Sequence, residues 1–336
     1  MKFKTFFAFI FGLILLVSCS NDSQNKYKIQ GNALGTTYNV NYYSNEKQNL
    51  KPKFDSIFDV INQSLSTYIP ESDISKINKG LDVKVDEHFK NVFQISKTIY
   101  KKTDAYFDPS IGIMVNAYGF GPTEYDLNLN PKTIDSLMTF VGFKHFTLNE
   151  NQLQTDLSSF YLDFNAVAKG YAVDVLADFL KSENIQNFFV EIGGEVVANG
   201  RDLENDKIWN FGIETPNENN NSRKLSYALS IDNKALATSG NYRKFKVDSL
   251  SGQKFVHTIN PKTGLSKKSN VLSASVVAET CAIADAYATA FMAMGFDKAK
   301  AAIEKYQISA LLIYVDEDNN MKTLMTEDLK ELTIEF

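Results

Sequence analysis

Apolar residues change their spacing several times along the chain, and each change marks an element. Residues 27–43 alternate at the two-residue period of strands. The alternation breaks at Gly31-Asn32-Ala33-Leu34-Gly35-Thr36-Thr37, where glycines flank either a simple bulge or a turn that brings amides to a ligand. Residues 50–65 shift to helical spacing, with Phe54, Ile57, Phe58, Ile61 and Leu65 on one face. Ser66-Thr67-Tyr68 closes that helix, residues 71–75 start a short turn, and 92–103 predict another amphipathic helix. From its position alone Tyr68 reads as a core aromatic. Residues 105–112 form a loop before the apolar run 113–117. The Asp108-Pro109 step within it is extended or turn-forming on its own account. A short helix over 131–140 and a hairpin strand over 153–162 complete this half.

The stretch 162–194 organises the rest. It reads as strand end, tight loop, helix, loop, strand and double glycine, with Asp163 at the tip of the first strand. Small residues (Ala166, Ala168, Gly170) open the helix. Tyr171, Val175, Leu176 and Phe179 form its apolar stripe, opposite Asp174, Asp178 and Lys181. A helix opening with small residues leaves amides free for an anion, and Lys169 adds positive charge there. Gly193-Gly194 lets the backbone approach something closely. An ordinary helix between two strands fits the same pattern. Further on, strands are predicted at 209–213, 225–232, 255–259 and 273–278, and a donor-rich turn at 237–242. A strong turn follows at Asn260-Pro261-Lys262-Thr263-Gly264. An alanine-rich helix over 279–294 ends at Gly295 as its C-cap. A helix at 298–306 and strands around 316–320 finish the chain. Polar breaks are evenly spread, so no linker divides the body.

The first residues differ in kind. Lys2 and Lys4 precede an apolar run over 6–17, too short to span a membrane comfortably and laid out as a secretory signal. Leu16-Val17-Ser18-Cys19 resembles a bacterial lipobox, in which the cysteine is lipidated and becomes the mature N-terminus. A plain signal peptide cut elsewhere, or an uncleaved anchor, would use the same run. The polar tether 20–26 favours the lipoprotein. The expected organisation is a signal peptide over 1–18, lipidated Cys19 and tether over 19–26, and one domain over 27–336. The protein would then be lipid-anchored on the periplasmic side of the cell envelope.

A net charge of -5 argues against a nucleic-acid partner, which would need a basic face. With Cys19 modified, Cys281 is left without a disulfide partner, and 44% hydrophobic residues suffice to build a core instead. Neither His88 nor His145 belongs to a recognisable motif, and no zinc spacing, G-x-S-x-G elbow or P-loop is present. His257 precedes the Asn260-Pro261 turn, which would hold it in place. Its imidazole suits proton transfer near neutral pH, although a hydrogen-bonded core histidine fits the same position. Asp285 and Thr289 share one helix face. Together they suit Mg²⁺, which completes its shell with water and phosphates; a capping or solvated aspartate is the alternative.

Together these segments resemble the ApbE family, the FAD:protein FMN transferases, from about residue 31 to about residue 295. The marks are ALGTTY at Ala33, STYIPESDIS at Ser66, YFDPSIG at Tyr106, LDFNAVAKGYAVD at Leu162, VEIGGE at Val190, ATSGNY at Ala237, HTINPKTG at His257 and ADAYATAFMAMG at Ala284. The resemblance implies an α+β fold of two intimately packed lobes, with mixed or antiparallel sheets and a FAD cleft between them. It implies Mg²⁺-dependent transfer of FMN from FAD to a threonine or serine hydroxyl, with release of AMP. The acceptor would be an extracytoplasmic flavoprotein such as a subunit of a membrane redox pump. By resemblance Leu34, Tyr68, Tyr106, Phe107, Asp108, Asp163, Lys169 and Ile259 contact FAD. The Ala166 carbonyl, Asp285 and Thr289 hold Mg²⁺, and His257 assists transfer. Leu34 stands where the family usually has methionine, Asn165-Ala166 where many members have glycine or serine, and Asn260 where aspartate is usual. A Mg²⁺-dependent FAD pyrophosphatase and a non-catalytic flavin-binding lipoprotein are the rival readings.

Overall fold

The alternation near the N-terminus folds as an antiparallel hairpin, β1 (Asn25–Ala33) and β2 (Thr36–Ser44). Leu34 and Gly35 close it with φ of 52° and 73°, the left-handed pair that matches the twist of a two-residue hairpin. The computed structural model describes residues 24–123, 127, 129–216, 225–240, 245–247, 254–256, 258–266 and 269–334, of which 245–247 and 254–256 by backbone alone. Cys19, with the signal run, and His257 lie outside the described residues.

Helices α1 (Lys51–Leu65), α2 (Asp73–Asn78) and α3 (Glu87–Lys102) follow. Helix α3 begins before its predicted start, because Asp86 accepts from the Phe89 amide at 2.9 Å and caps an earlier turn. After a 3-10 turn at Pro109–Ile111 come α4 (Gly112–Ala117), α5 (Pro131–Met138) and the small hairpin β3 (Phe146–Asn149) and β4 (Gln152–Thr155). The strand predicted over 153–162 ends at Thr155, and residues 156–164 are irregular. Asp163 therefore sits in a loop rather than at a strand tip.

The central helix is α6 (Asn165–Ser182), followed by β5 (Phe188–Ile192) and β6 (Glu195–Asn199) across the Gly193-Gly194 turn. Next come β7 (Arg201–Asp202), β8 (Lys207–Glu214), β9 (Leu225–Ile231), β10 (Lys234–Gly240), β11 (Phe245–Val247), β12 (Lys254–Val256) and β13 (Val271–Ala278). The chain ends with α7 (Cys281–Met294), α8 (Phe296–Tyr306), β14 (Ser309–Val315), β15 (Met321–Met325), α9 (Glu327–Lys330) and β16 (Thr333–Ile334). Residues 237–240, predicted as a turn, continue β10. They pair with 273–276 of β13, and a sheet partner on that side keeps the small residues extended.

Eight antiparallel strands form the main sheet in the order β1-β2-β5-β6-β10-β13-β14-β15. Both faces of its middle are buried. Val197, Ala274, Val276, Ala310 and Leu312 point to the helices, into a core shared with Leu176 of α6 and Phe291 of α7. Their neighbours Val196, Val277, Leu311 and Ile313 point the other way, onto Trp209, Leu229 and Ile231 of the sheet β16-β9-β8-β7. The fold is α+β, with antiparallel sheets and helices layered on one face. Helix α6 lacks the single stripe predicted for it, because α7, α1, α3 and the sheet surround it, and half of its residues are buried.

Candidate active site

Helices α6 and α7 run antiparallel and touch through a glycine. A Cβ at Gly170 would lie 2.4 Å from the Cys281 carbonyl oxygen and 2.9 Å from the Ala282 nitrogen, so only glycine permits this approach. At the start of α7 the Asp174 carboxylate accepts from the Cys281 amide at 2.7 Å and the Ala282 amide at 2.9 Å. It replaces the cap that Thr280 does not supply. Asp174, read from sequence as lying on the polar face, is thus a helix-capping residue. Burial raises its pKa to about 7 against the pull of those two amides.

One turn along the seam, the Gly170 amide donates to Asp285 Oδ2 at 3.2 Å. The contacts step by four along both helices in opposite senses, 174 with 281 and 170 with 285. An α-helix aims the Ala166 carbonyl at the Gly170 amide, the same amide that Asp285 engages. Thr289 stands one turn beyond Asp285, its hydroxyl 3.3 Å from Ser239 Oγ on β10. The structure thus sets Asp285 against the Gly170 turn of α6 and Thr289 beside β10, with Ala166 one turn before Gly170. Asp285 is 3% exposed. Burial raises its carboxyl pKa to about 7, the Lys169 charge opposes the rise, and the Glu195 charge adds to it.

Lys169, in the same first turns of α6, directs its ammonium between two carboxylates. Nζ is hydrogen-bonded to Glu195 Oε1 and lies 3.9 Å from Asp285 Oδ2. Burial works against its charge, but the two anions outweigh it and raise the lysine pKa above its ordinary value. Sequence reasoning assigned Glu195 no role. A glutamate opening β6 ahead of the apolar run Val196-Val197-Ala198, directly after two glycines, was the signal that could have found it.

A second cluster gathers around Asp163. Its amide donates to the Pro109 carbonyl at 2.8 Å, and its carboxylate accepts from the Asn165 amide at 2.7 Å. Asn78 clamps the neighbouring Leu162, donating to its carbonyl at 2.8 Å and accepting from its amide at 2.7 Å. Gly112 allows the contact, since a Cβ there would meet the Tyr161 carbonyl at 2.7 Å. Burial raises the Asp163 pKa. Tyr68 is 60% exposed, not a core aromatic. Its hydroxyl end leans on the protein and donates to the Phe120 carbonyl at 3.4 Å. Desolvation there and the Asp163 charge raise its pKa.

The other expected contacts divide. Leu34 is half-buried in the β1–β2 turn, and Gly193 lies beside Thr36 of that hairpin, so the two tight turns share one sheet end. Tyr106 is buried, with the Lys298 ammonium on its hydroxyl and that of Lys262 5.6 Å from its ring centre. Phe107 packs into the main core. The Asp108 carboxylate is buried and fully used inside the protein, accepting from the Ser110 amide at 2.8 Å, the Ser110 hydroxyl at 2.5 Å and the Phe143 amide at 3.2 Å. The Phe107 and Asp108 side chains therefore shape this loop from within. Ile259 is buried against Ile113, Met114 and Ile134. Beside it, Thr258, Asn260, Leu265, Asn270, Met292 and Gly295 line a cavity of about 320 Å³.

The seam's chemistry suits a hard divalent cation. The donors expected there are a carbonyl, a carboxylate and a hydroxyl, and Glu195 Oε2 is buried without a hydrogen-bond partner among the described residues. Among those residues no cluster of three or more His, Cys, Asp or Glu side chains could hold a metal. An ion bound at Asp285 would complete its shell with phosphate and water, as Mg²⁺ does.

The sequence profile of the ApbE family matches residues 34–312. An FAD:protein FMN transferase of Vibrio cholerae is 31% identical over 328 residues, spanning 95% of this chain and 96% of the relative. Another of Haemophilus influenzae is 30% identical over 332 residues, spanning 95% and 94%. Among solved structures, the flavin transferase ApbE from Vibrio cholerae superposes with a TM-score of 0.82 at 29% identity, over 92% of this chain and 99% of that one. The apo flavinyl transferase ApbE of Pseudomonas stutzeri gives 0.80 at 26% identity, over 92% and 97%.

Proposed function

Because the chain belongs to the ApbE family, we propose that it is an FAD:protein FMN transferase that uses Mg²⁺ and releases AMP. The observation that carries this reading is the near end-to-end match to transferases of that name. The oxygen-lined α6–α7 seam beside Lys169 supports it. The acceptor's threonine or serine oxygen attacks the FMN phosphorus of FAD. The phosphoanhydride bond to AMP breaks, and the hydroxyl proton passes to a base. His257 is the residue proposed for that base, on the strength of its motif. Lys169, a fixed point charge, draws the pyrophosphate to the start of α6. Bound Mg²⁺ would supply charge neutralisation on the leaving phosphate, and Ala166, Asp285 and Thr289 would hold it. The exposed Tyr68 ring offers a stacking face to a planar ligand, beside Asp163. Leu34, Ile259 and the 106–108 loop would bound the rest of the cleft between two lobes.

The acceptor is proposed to be an extracytoplasmic flavoprotein, such as a subunit of a membrane redox pump. The enzyme would reach it from the periplasmic side of the envelope, anchored through lipidated Cys19 with residues 27–336 as one domain. The helix-side core, which runs from Ala33 to Leu312, supports the single domain. Incubation with FAD, Mg²⁺ and a candidate acceptor tests the reading, with mass spectrometry of the acceptor. FMN attached to a hydroxyl residue, and lost in excess EDTA, is the expected result. Rapid conversion of FAD to free FMN and AMP without an acceptor would overturn it in favour of a pyrophosphatase.

A further inference from the structure

Glu195 is a charged residue of the seam to which the transfer step gives no task. It is 4% exposed and is fixed by the Gly193-Gly194 turn, whose φ values of 64° and 109° suit glycine. The Gly194 amide is tied back to Glu191 Oε1 at 2.7 Å, which sets where β6 begins. One Glu195 oxygen takes the Lys169 ammonium, while Oε2 is buried without a hydrogen-bond partner among the described residues. Burying a carboxylate with half its acceptors unused is costly, and an apolar residue would pack beside Val196 and Val197 without that cost. The charge itself therefore has a use.

That use follows from the choice open to Lys169. Its ammonium rests on Glu195 and stops 3.9 Å short of Asp285 Oδ2, which takes its hydrogen bond from the Gly170 amide instead. If the Glu195 charge were removed, Asp285 would become the nearest anion. The flexible lysine stem would let the ammonium close that gap. Ammonium and divalent cation would then compete for one carboxylate.

We propose that Glu195 is a positioning residue that holds the Lys169 ammonium off Asp285, keeping that carboxylate available to a divalent cation. The inference rests on the transferase reading, in which Asp285 carries Mg²⁺. Its test measures binding rather than turnover. The full chain is titrated with Mg²⁺ alone by calorimetry, and with FAD alone by flavin fluorescence. Glu195→Gln should weaken Mg²⁺ binding by about 10- to 100-fold, as loss of a residue supporting a metal ligand does. Metal-free FAD affinity should fall by less than Mg²⁺ affinity, since Lys169 is only one of several groups expected to contact FAD. In a Lys169→Met background the same substitution should change Mg²⁺ affinity by less than about threefold, because no ammonium is left to compete. Glu195→Asp keeps the charge with a shorter reach and should give an intermediate loss; it carries the comparison if the glutamine variant does not fold.

Unchanged Mg²⁺ affinity in Glu195→Gln would overturn the inference. So would an equal loss with and without Lys169, which would assign Glu195 to the metal itself or to the fold. Wild-type protein that binds neither Mg²⁺ nor FAD would overturn the transferase reading and this inference with it.

Discussion

Replacing Gly170 with alanine tests the α6–α7 seam most directly. The added Cβ would sit 2.4 Å from the Cys281 oxygen, 2.7 Å from its carbonyl carbon and 2.9 Å from the Ala282 nitrogen, where ordinary contact begins at 3.4 Å. All three atoms are backbone in the first turn of α7, so no rotamer change can relieve them, and the helices must part by about 1 Å at this point. Overpacking of this kind costs about 3 kcal/mol at the upper end of its usual range. Alanine recovers about 1 kcal/mol of helix propensity. The net loss is then about 2 kcal/mol, or a fall in Tm of roughly 3 °C for a domain of this size. Thermal and urea unfolding by circular dichroism measure it. The same separation withdraws the Gly170 amide from Asp285, so Mg²⁺ binding by calorimetry should weaken as well. A Gly170→Ala protein as stable as wild type, with unchanged Mg²⁺ affinity, would refute the tight seam and the donor geometry built on it.

Asp174 gives a pH signature. Its folded pKa of about 7 lies above the ordinary 3.8, so the folded state holds the proton more tightly and stability falls as pH rises through that window. Asp174→Asn removes the titration. From pH 5 to pH 7 wild type should lose up to about 3 kcal/mol relative to the variant, from ~1.4 kcal/mol per pH unit. Urea midpoints at several pH values read the difference, and a gap that stayed constant or ran the other way would reject the assignment. Tyr68→Ala should shift stability by no more than about 0.5 kcal/mol, since the ring is exposed. FAD affinity should drop about tenfold or more if the ring stacks on the ligand, and fluorescence titration decides. His257→Ala should abolish FMN transfer and leave FAD binding intact; transfer at the wild-type rate would remove the imidazole from the chemistry.

Local chemistry was legible in the chain, and distant partners were not. The helix of α7 follows from its alanines and Gly295, and the first hairpin from its alternation, because both patterns are complete within a few turns. The turn at residues 260–264 was equally clear. By contrast, residues 237–240 carry turn-forming side chains but are held extended by β13, which lies some thirty residues on. Asp174 and Glu195 look like solvated charges until α7 and Lys169, remote in sequence, are brought against them. The core position read for Tyr68 from its place in the chain failed for the same reason: an aromatic at a helix end does not tell which loop will leave it uncovered. Asp285 with Thr289 could be paired by helical arithmetic, but the Gly170 amide that meets Asp285 belongs to another helix.

The order of strands in the main sheet also bears on how the chain folds. Strand β2 is zipped to β5, Tyr38 opposite Ile192, and α1 to α6 are all made between them. The hairpin at the front of the polypeptide must wait with one rim unmatched until the middle of the chain arrives. Closing so long a loop draws heavily on chain entropy and slows collapse to the final state. The front hairpin would thus gain its sheet partner only after most of the helical layer has been made.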